Sequence, residues 1–322
     1  MSQAEIVAAV LWLALTAYAV LAGADFGGGV WDLLATGPRA AEQRRAVAEA
    51  MGPVWEANHV WLIFLIVGMF TAFPSAFGTL ALALYVPFTI GLVGIVLRGA
   101  AFAFRAHGRE AVGGASMWGV AFGAASVIAP LALATAIAAV TSGHPDRWDT
   151  PFAFLLGLFA VAICAYLAAT YLTVETEGTP LEADFRRRAL VAGLVSGVLA
   201  LACLALSPIG APYLWRALVG RGLPLLVLAL LNGPLALAAV WFSRPRLARV
   251  AVIAQVVFVL WAWALGQWPY LIPPDVTIQV AAAPTGTLTA WLEVTAAGAV
   301  LLLPSLWLLF RVFKARNPAA IL

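Results

Sequence analysis

The chain predicts an all-α, polytopic membrane protein with nine transmembrane helices, on three observations. Of its 322 residues 64% are hydrophobic and only 10% charged, with a mean hydropathy of +0.99. An ordinary soluble domain carries roughly 25% charged residues. Nine runs with few or no charges are each long enough for the ~20 apolar helical residues that cross a hydrocarbon core of ~30 Å. Finally, the cations gather on alternate connections between those runs, as two different sides of a membrane require.

The runs lie at about 5–23, 53–73, 79–104, 117–141, 151–174, 189–207, 222–242, 248–268 and 287–310. The first reads as a retained helix and not a signal peptide, because no A-x-A-like cleavage site follows and Asp25 with a glycine cluster continues it. Pro53 reads as the first residue of the second helix. Spans 1–4 (about 5–141) and 5–8 (about 151–268) suit two four-helix bundles, divided by the charged "VETEGTPLEADFRRR" at 174–188. A ninth, peripheral helix at about 287–313 completes a single membrane domain over 1–322. The Pro-rich, almost uncharged connection at 268–287 is expected to lie against protein or the membrane surface, since free loops are more polar.

Of the 18 basic residues, all but Arg147, Arg216 and Arg221 fall on the connections after spans 1, 3, 5, 7 and 9. The positive-inside rule then puts the N-terminus outside and the C-terminus in the cytoplasm. Arg98 and Arg105 are read in the same way, as cations at or after the end of the third span. In a membrane chain such residues report topology before nucleic acid, and no nucleic-acid partner is expected. Both cysteines, Cys164 and Cys203, lie inside predicted spans as small apolar residues, with no C-x-x-C or Cys/His spacing for zinc. The glycines of "GADFGGG" (23–29) read as close helix packing, because no strand precedes them to form a phosphate loop.

Most of the 15 acids sit in connections, and four stand at or within membrane segments: Asp25, Asp32, Glu56 and Glu293. An ionisable group in the bilayer costs about 2.5–3.5 kcal/mol on insertion scales, so it faces a partner, a cavity or a pathway. Asp25 and Asp32 are seven residues apart on one helix face; Asp32 reads as a solvated helix-end acid near Arg39. Glu56 is placed on the first turn of the second helix, where a helix-dipole role competes with a place beside Asp25 on a proton path from the cytoplasm. It stands in "GPVWEANHVWL" (52–62) with Asn58, His59 and Trp61. Glu56 and His59 form an E-x-x-H pair, but a di-iron site needs a second such pair, and the other histidines, His107 and His144, are predicted in loops. No metal site is expected in this chain, and His59 reads as a hydrogen-bonded packing residue or an accessory proton group.

"GADFGGGVWDLL" (23–34) followed by "GPVWEANHVWLI" (52–63) resembles the first two helices of subunit II of cytochrome bd-type quinol oxidases. The nine-span layout, the outer "WPYLIPP" (268–274) and the terminal "LFRVFK" (309–314) extend the resemblance over the whole chain. It implies a haem-free, non-catalytic subunit of a terminal oxidase in a bacterial or archaeal cytoplasmic membrane. The partner implied is a haem-bearing subunit I with b-type and d-type haems, which oxidises quinol at the outer face while oxygen is reduced to water. The acid matching Glu56 then belongs to a cytoplasmic proton path toward the oxygen-reducing haem, with the acid matching Asp25 beside it. The resemblance also admits a small single-helix subunit and a structural quinone, although the Trp-rich "VLWAWALGQW" (259–268) reads first as an anchor at the lipid interface. The competing reading is a proton-coupled secondary transporter, for which discontinuous helices and a midplane site are the expected marks. Glu293 is the one acid that suits such a midplane site.

Overall fold

A computed structural model describes residues 1–107 and 117–314, apart from the side chains of residues 53, 56, 106, 107, 303, 306, 309, 310 and 312–314. The elements are α1 (Gln3–Leu33), α2 (Ala40–Ala72), α3 (Pro74–Ala83), α4 (Tyr85–His107), α5 (Met117–Ser142), α6 (Pro151–Glu175), α7 (Pro180–Gly210), α8 (Pro212–Val219), α9 (Leu223–Trp241) and α10 (Pro245–Gln267). A two-stranded antiparallel hairpin, β1 (Tyr270–Ile272) and β2 (Val276–Thr277), then leads through α11 (Ile278–Ala281) to α12 (Thr285–Lys314). Among the described residues eight helices are each long and apolar enough to cross a membrane. The ninth is α2, whose parts Ala40–Gly52 and Ala57–Ala72 meet at a bend of 49°.

Local chemistry sets the helix ends. Ser2 and Glu5 form a reciprocal capping box at the start of α1. Thr150 caps α6 by accepting from the Ala153 amide at 3.1 Å. Prolines open α3, α6, α7, α8, α9 and α10 at their first or second position, where the missing N–H has no partner to lose.

Helices α1, α2, α4 and α5 form one group and α6, α7, α9 and α10 a second; the two meet where α6 lies along α1 and α5. The α12 helix packs on the outside against α2 and α1, with only 6% of its apolar window buried. The predicted two bundles and peripheral helix are therefore what the chain forms. Large apolar side chains are exposed along the spans, Leu92, Val96, Leu194 and Leu231 among them, as a surface solvated by lipid requires. The connection before α12 is not a free loop: Ile272, Ile278 and Ala281 are buried against Val7, Leu11 and Phe73.

Several boundaries differ from the sequence reading: α7 begins at Pro180, nine residues before the expected run at 189, and the expected run 79–104 is divided between α3 and α4. The first helix continues ten residues past the apolar run, because the glycines of 23–29 are buried against neighbouring helices and keep the helical ladder intact. The second helix starts at Ala40, so Pro53 lies inside α2 and Glu56 is not on its first turn. The polar segment before Gly52 is helical as well, extending along α1 with Val47 and Met51 buried in the core. His107, expected in a loop, is the last residue of α4 by its backbone.

Candidate functional site

Asp25 and Asp32 recur after seven residues on α1, and Arg98 and Arg105 after seven on α4. Seven residues advance a helix by ~10.5 Å, close to two full turns, so each pair of like charges shares a face. The two helices run in the same direction, and their equal spacings produce two ion-pair rungs, Asp25 with Arg98 and Asp32 with Arg105.

The inner rung is closed to solvent, with Asp25 1% and Arg98 3% exposed. Asp25 Oδ1 accepts from Arg98 Nη2 at 2.5 Å, and Oδ2 accepts from Arg98 Nη1 at 2.6 Å and from Asn58 Nδ2 at 2.9 Å. Arg98 Nη2 also donates to the Asp25 carbonyl at 3.0 Å, and Nε donates to Ser126 Oγ at 2.9 Å. The Phe122 ring lies under the guanidinium, 4.6 Å from its carbon to the ring centre. A buried pair is tolerable only when its donors and acceptors are met, and here both Asp25 oxygens and every guanidinium nitrogen of Arg98 have a partner.

The outer rung is nearly as enclosed. Arg105 Nη1 and Nη2 donate to the two oxygens of Asp32 at 3.0 and 3.1 Å, and Phe122 lies 5.5 Å from the Arg105 guanidinium too. Asp32 is thus not a solvated acid near Arg39. It turns inward to Arg105, while Arg39 pairs with Asp184 of α7. Arg98 and Arg105, read from sequence as markers of one membrane side, are the cations that make Asp25 and Asp32 bearable inside the fold.

The glycines of the 23–29 stretch allow the approach. A Cβ on Gly27 would stand 1.9 Å from the Cys164 carbonyl oxygen, and one on Gly29 would stand 2.0 Å from Ser126 Oγ, the atom that receives Arg98. Close packing and charge placement are one device here: without Cβ atoms at these positions, α5 and α6 lie close enough to α1 to seal the inner rung.

Beside that rung is a small cleft lined by Tyr18, Asp25, Trp55, Asn58, His59 and Arg98, with apolar walls from Phe26, Leu62 and Ile95. His59 is partly buried, its Nδ1 2.8 Å from the carbonyl oxygen of Trp55 and its ring edge-on to the Trp55 ring at 4.9 Å. Trp61 is partly buried against a cluster that contains Tyr18, Phe26 and Cys164. Of the sequence-predicted site residues, Asp25, Asn58 and His59 meet in this cleft and Asp32 lies two turns away. The Glu56 side chain lies outside the described residues. Glu293 is elsewhere, exposed on α12. Sequence reasoning missed Arg98, Arg105, Ser126 and Phe122, although one signal was present in the equal D-x6-D and R-x6-R spacings.

Among the described residues no group of three or more His, Cys, Asp or Glu is placed to hold a metal. The two described imidazoles lie apart, His59 in the cleft on α2 and His144 in the turn between α5 and α6, and do not form an axial pair with each other. The Trp-rich end of α10 is occupied by internal contacts. Trp263 meets Trp12 edge-on at 4.7 Å and donates to Gln267, which donates on to the Leu271 carbonyl at 3.0 Å.

Over residues 3–313 the chain matches the family described as cytochrome bd terminal oxidase subunit II. It is 28% identical over 256 residues to a cytochrome bd ubiquinol oxidase subunit 2 of Bacillus subtilis (strain 168), covering 73% of this chain and 72% of the relative. It is 27% identical over 228 residues to a cytochrome bd-I ubiquinol oxidase subunit 2 of Escherichia coli (strain K12), covering 65% of this chain and 58% of the relative. A chain in the structure of bd oxidase from Geobacillus thermodenitrificans shares the fold, with a TM-score of 0.83 over 97% of this chain and 99% of that one at 24% identity.

Proposed function

Because the chain belongs to the cytochrome bd terminal oxidase subunit II family and is thus part of a quinol:oxygen oxidoreductase, we propose that it scaffolds a haem-bearing subunit I and conducts cytoplasmic protons toward it. The observation that supports this reading is the buried polar ladder. From the basic end of the bundle, Asp32 with Arg105 and then Asp25 with Arg98 carry charged groups two helical turns deeper, ending at a cleft of titratable and amide side chains. Packing alone would not retain four charges there, since a well-packed apolar replacement of a buried pair is commonly neutral or stabilising.

In this reading Glu56 takes up protons and Asp25 is the fixed anion of the path. The N-terminus faces outward and the basic end faces the cytoplasm. The b-type and d-type haems belong to subunit I, whose oxygen chemistry consumes the protons. Drawing them from inside while quinol releases protons outside charges the membrane, each elementary charge being worth ~2.3 kcal/mol per 100 mV. The transporter reading gives way to the family.

Glu56→Gln tests the assignment, since it keeps size and hydrogen bonding and removes titration. The expected result is a complex with full haem content whose oxygen consumption per haem, at saturating quinol, falls ~100-fold, the lower end of what a positioned proton-transfer group contributes. An unchanged rate per haem overturns the proton path and leaves the scaffold.

A further inference from the structure

A proton that enters the cleft needs a group that can accept it there and release it later. The titratable and charged groups facing the cleft are few. Both Asp25 oxygens are engaged by Arg98 and Asn58. Arg98 stays protonated, as a guanidinium does throughout the physiological range, and the Asn58 amide does not titrate. Tyr18 of α1 is a phenol with an ordinary pKa of ~10, far from the working range. From α6 the thiol of Cys164 is buried and apolar in its surroundings. Glu293 of α12, which packs on α2, is exposed. His59 is left, the one described side chain in the cleft whose ring can carry both an N–H and a basic lone pair.

Its tautomer is set by geometry. A carbonyl only accepts, so the 2.8 Å contact to the Trp55 oxygen places the ring proton on Nδ1 and the lone pair of the neutral ring on Nε2. Among the described residues Nε2 has no hydrogen-bond partner, whereas Asn58, one residue earlier, spends an amide N–H on Asp25. Glu56 precedes His59 by three residues in the chain and stands between the two parts of α2.

We propose that His59 Nε2 is the proton-relay group of this cleft, receiving the proton from the Glu56 side while the Asp25–Arg98 pair stays ionised and holds Asn58 in place. The inference rests on the proton-path reading and deepens it. In the step, a proton adds to the Nε2 lone pair, giving an imidazolium whose Nδ1–H remains on the Trp55 carbonyl. The same proton then leaves from Nε2, and no other bond changes.

His59→Asn tests it, because the Asn amide can still donate to the Trp55 carbonyl but offers no titrating nitrogen. The variant, purified as the whole oxidase complex, is compared with the parent in oxygen consumption per haem between pH 5.5 and 8.5. The expected result is a loss of at least ~10-fold at pH 8.5 that shrinks toward pH 5.5, where protons are abundant. His59→Gln supplies the same comparison should His59→Asn assemble poorly. A pH profile that superimposes on the parent's in the variant that assembles overturns the inference, as does a loss that is the same at every pH. Glu56→Gln run alongside separates the two levels. A slow Glu56→Gln beside a normal His59 variant keeps the path and removes His59 from it; a normal Glu56→Gln removes the path itself.

Discussion

The two four-helix groups are built from the same kinds of residues, yet they differ in what they bury. In α1, α2, α4 and α5 the buried polar side chains include Asp25, Asp32, Asn58 and Arg98, joined across helices. In α6, α7, α9 and α10, with the turn that ends α6, they are Thr170, Thr173, Thr176, Ser196 and Ser207, each donating to a carbonyl three or four residues back on its own chain. A hydroxyl turned onto its own helix satisfies itself and serves packing. A carboxylate held by a guanidinium from another helix needs the whole assembly to be tolerable. The first group therefore concentrates its buried cost in charges held between helices, whereas the second carries a smaller one in the Tyr166 hydroxyl, buried without a hydrogen-bond partner among the described residues, and in the Glu175–Arg249 pair at its edge.

The difference is sharpest at the inner rung, where the largest effect is expected. Arg98→Leu leaves Asp25 buried without its cation, which costs ~3–5 kcal/mol for a buried pair broken on one side. The yield of assembled, haem-containing complex should collapse. Asp25→Asn combined with Arg98→Gln removes both charges while keeping polar contacts, and it should recover much of the yield. If the rung is only structural, that double variant also recovers the rate per haem; on the proton-path reading it does not.

Next comes the packing that seals the rung. Gly27→Ala puts a methyl group into the Cys164 carbonyl, a contact that neither backbone can relieve without moving. Overpacking of this kind costs ~1–3 kcal/mol, so a clear drop in Tm is expected in detergent. The same substitution at Gly52, where a Cβ meets nothing within 4 Å, is the control and should leave Tm unchanged.

How much of this was legible in the sequence follows from range. The nine spans were readable because each depends on its own apolar run, and Asp25 stood out because a charge beside such a run is costly wherever the chain folds. The "GPVWEANHVWL" segment likewise announced Asn58 and His59 as unusual. Arg98 and Arg105 were misread because an arginine near the end of an apolar run has the same local sequence whether it faces water or a carboxylate on another helix. The deciding fact is register between α1 and α4, 73 residues apart in the chain for both rungs. The start of α2 was misplaced for a related reason. Its first turns are polar along the sequence, and only contact with α1 shows that Val47 and Met51 are core.

In the second group α9 and α10 are joined by an uncharged polar contact, Asn232, whose Nδ2 donates to the Ala251 carbonyl at 2.8 Å and to Gln255 Oε1 at 3.0 Å. Such contacts inside membranes average ~0.6 kcal/mol. Asn232→Leu should therefore lower Tm only slightly and leave oxygen consumption per haem at the parent level. A large loss of rate with normal assembly would show that the second group takes part in the chemistry, and the contrast between the groups would fail.

The smallest effect is expected where charge pairing leaves the membrane interior. Arg39 donates to both oxygens of Asp184, Nη2 at 2.6 Å and Nε at 2.9 Å, in geometry as good as that of the inner rung. The setting differs: the side chains are 45% and 21% exposed, against 4% and 1% for Arg98 and Asp25. Water solvates the separated ions nearly as well as the pair does, and salt screens what attraction is left. Asp184 also keeps Gln43 as a donor at 3.0 Å when Arg39 is removed. Arg39→Gln should accordingly leave assembly and rate per haem unchanged and shift Tm measurably only at low ionic strength. A salt-independent loss as large as that of Arg98→Leu would mean that exposure does not decide the worth of these pairs. The special standing of the inner rung would then rest on geometry that Arg39 and Asp184 share.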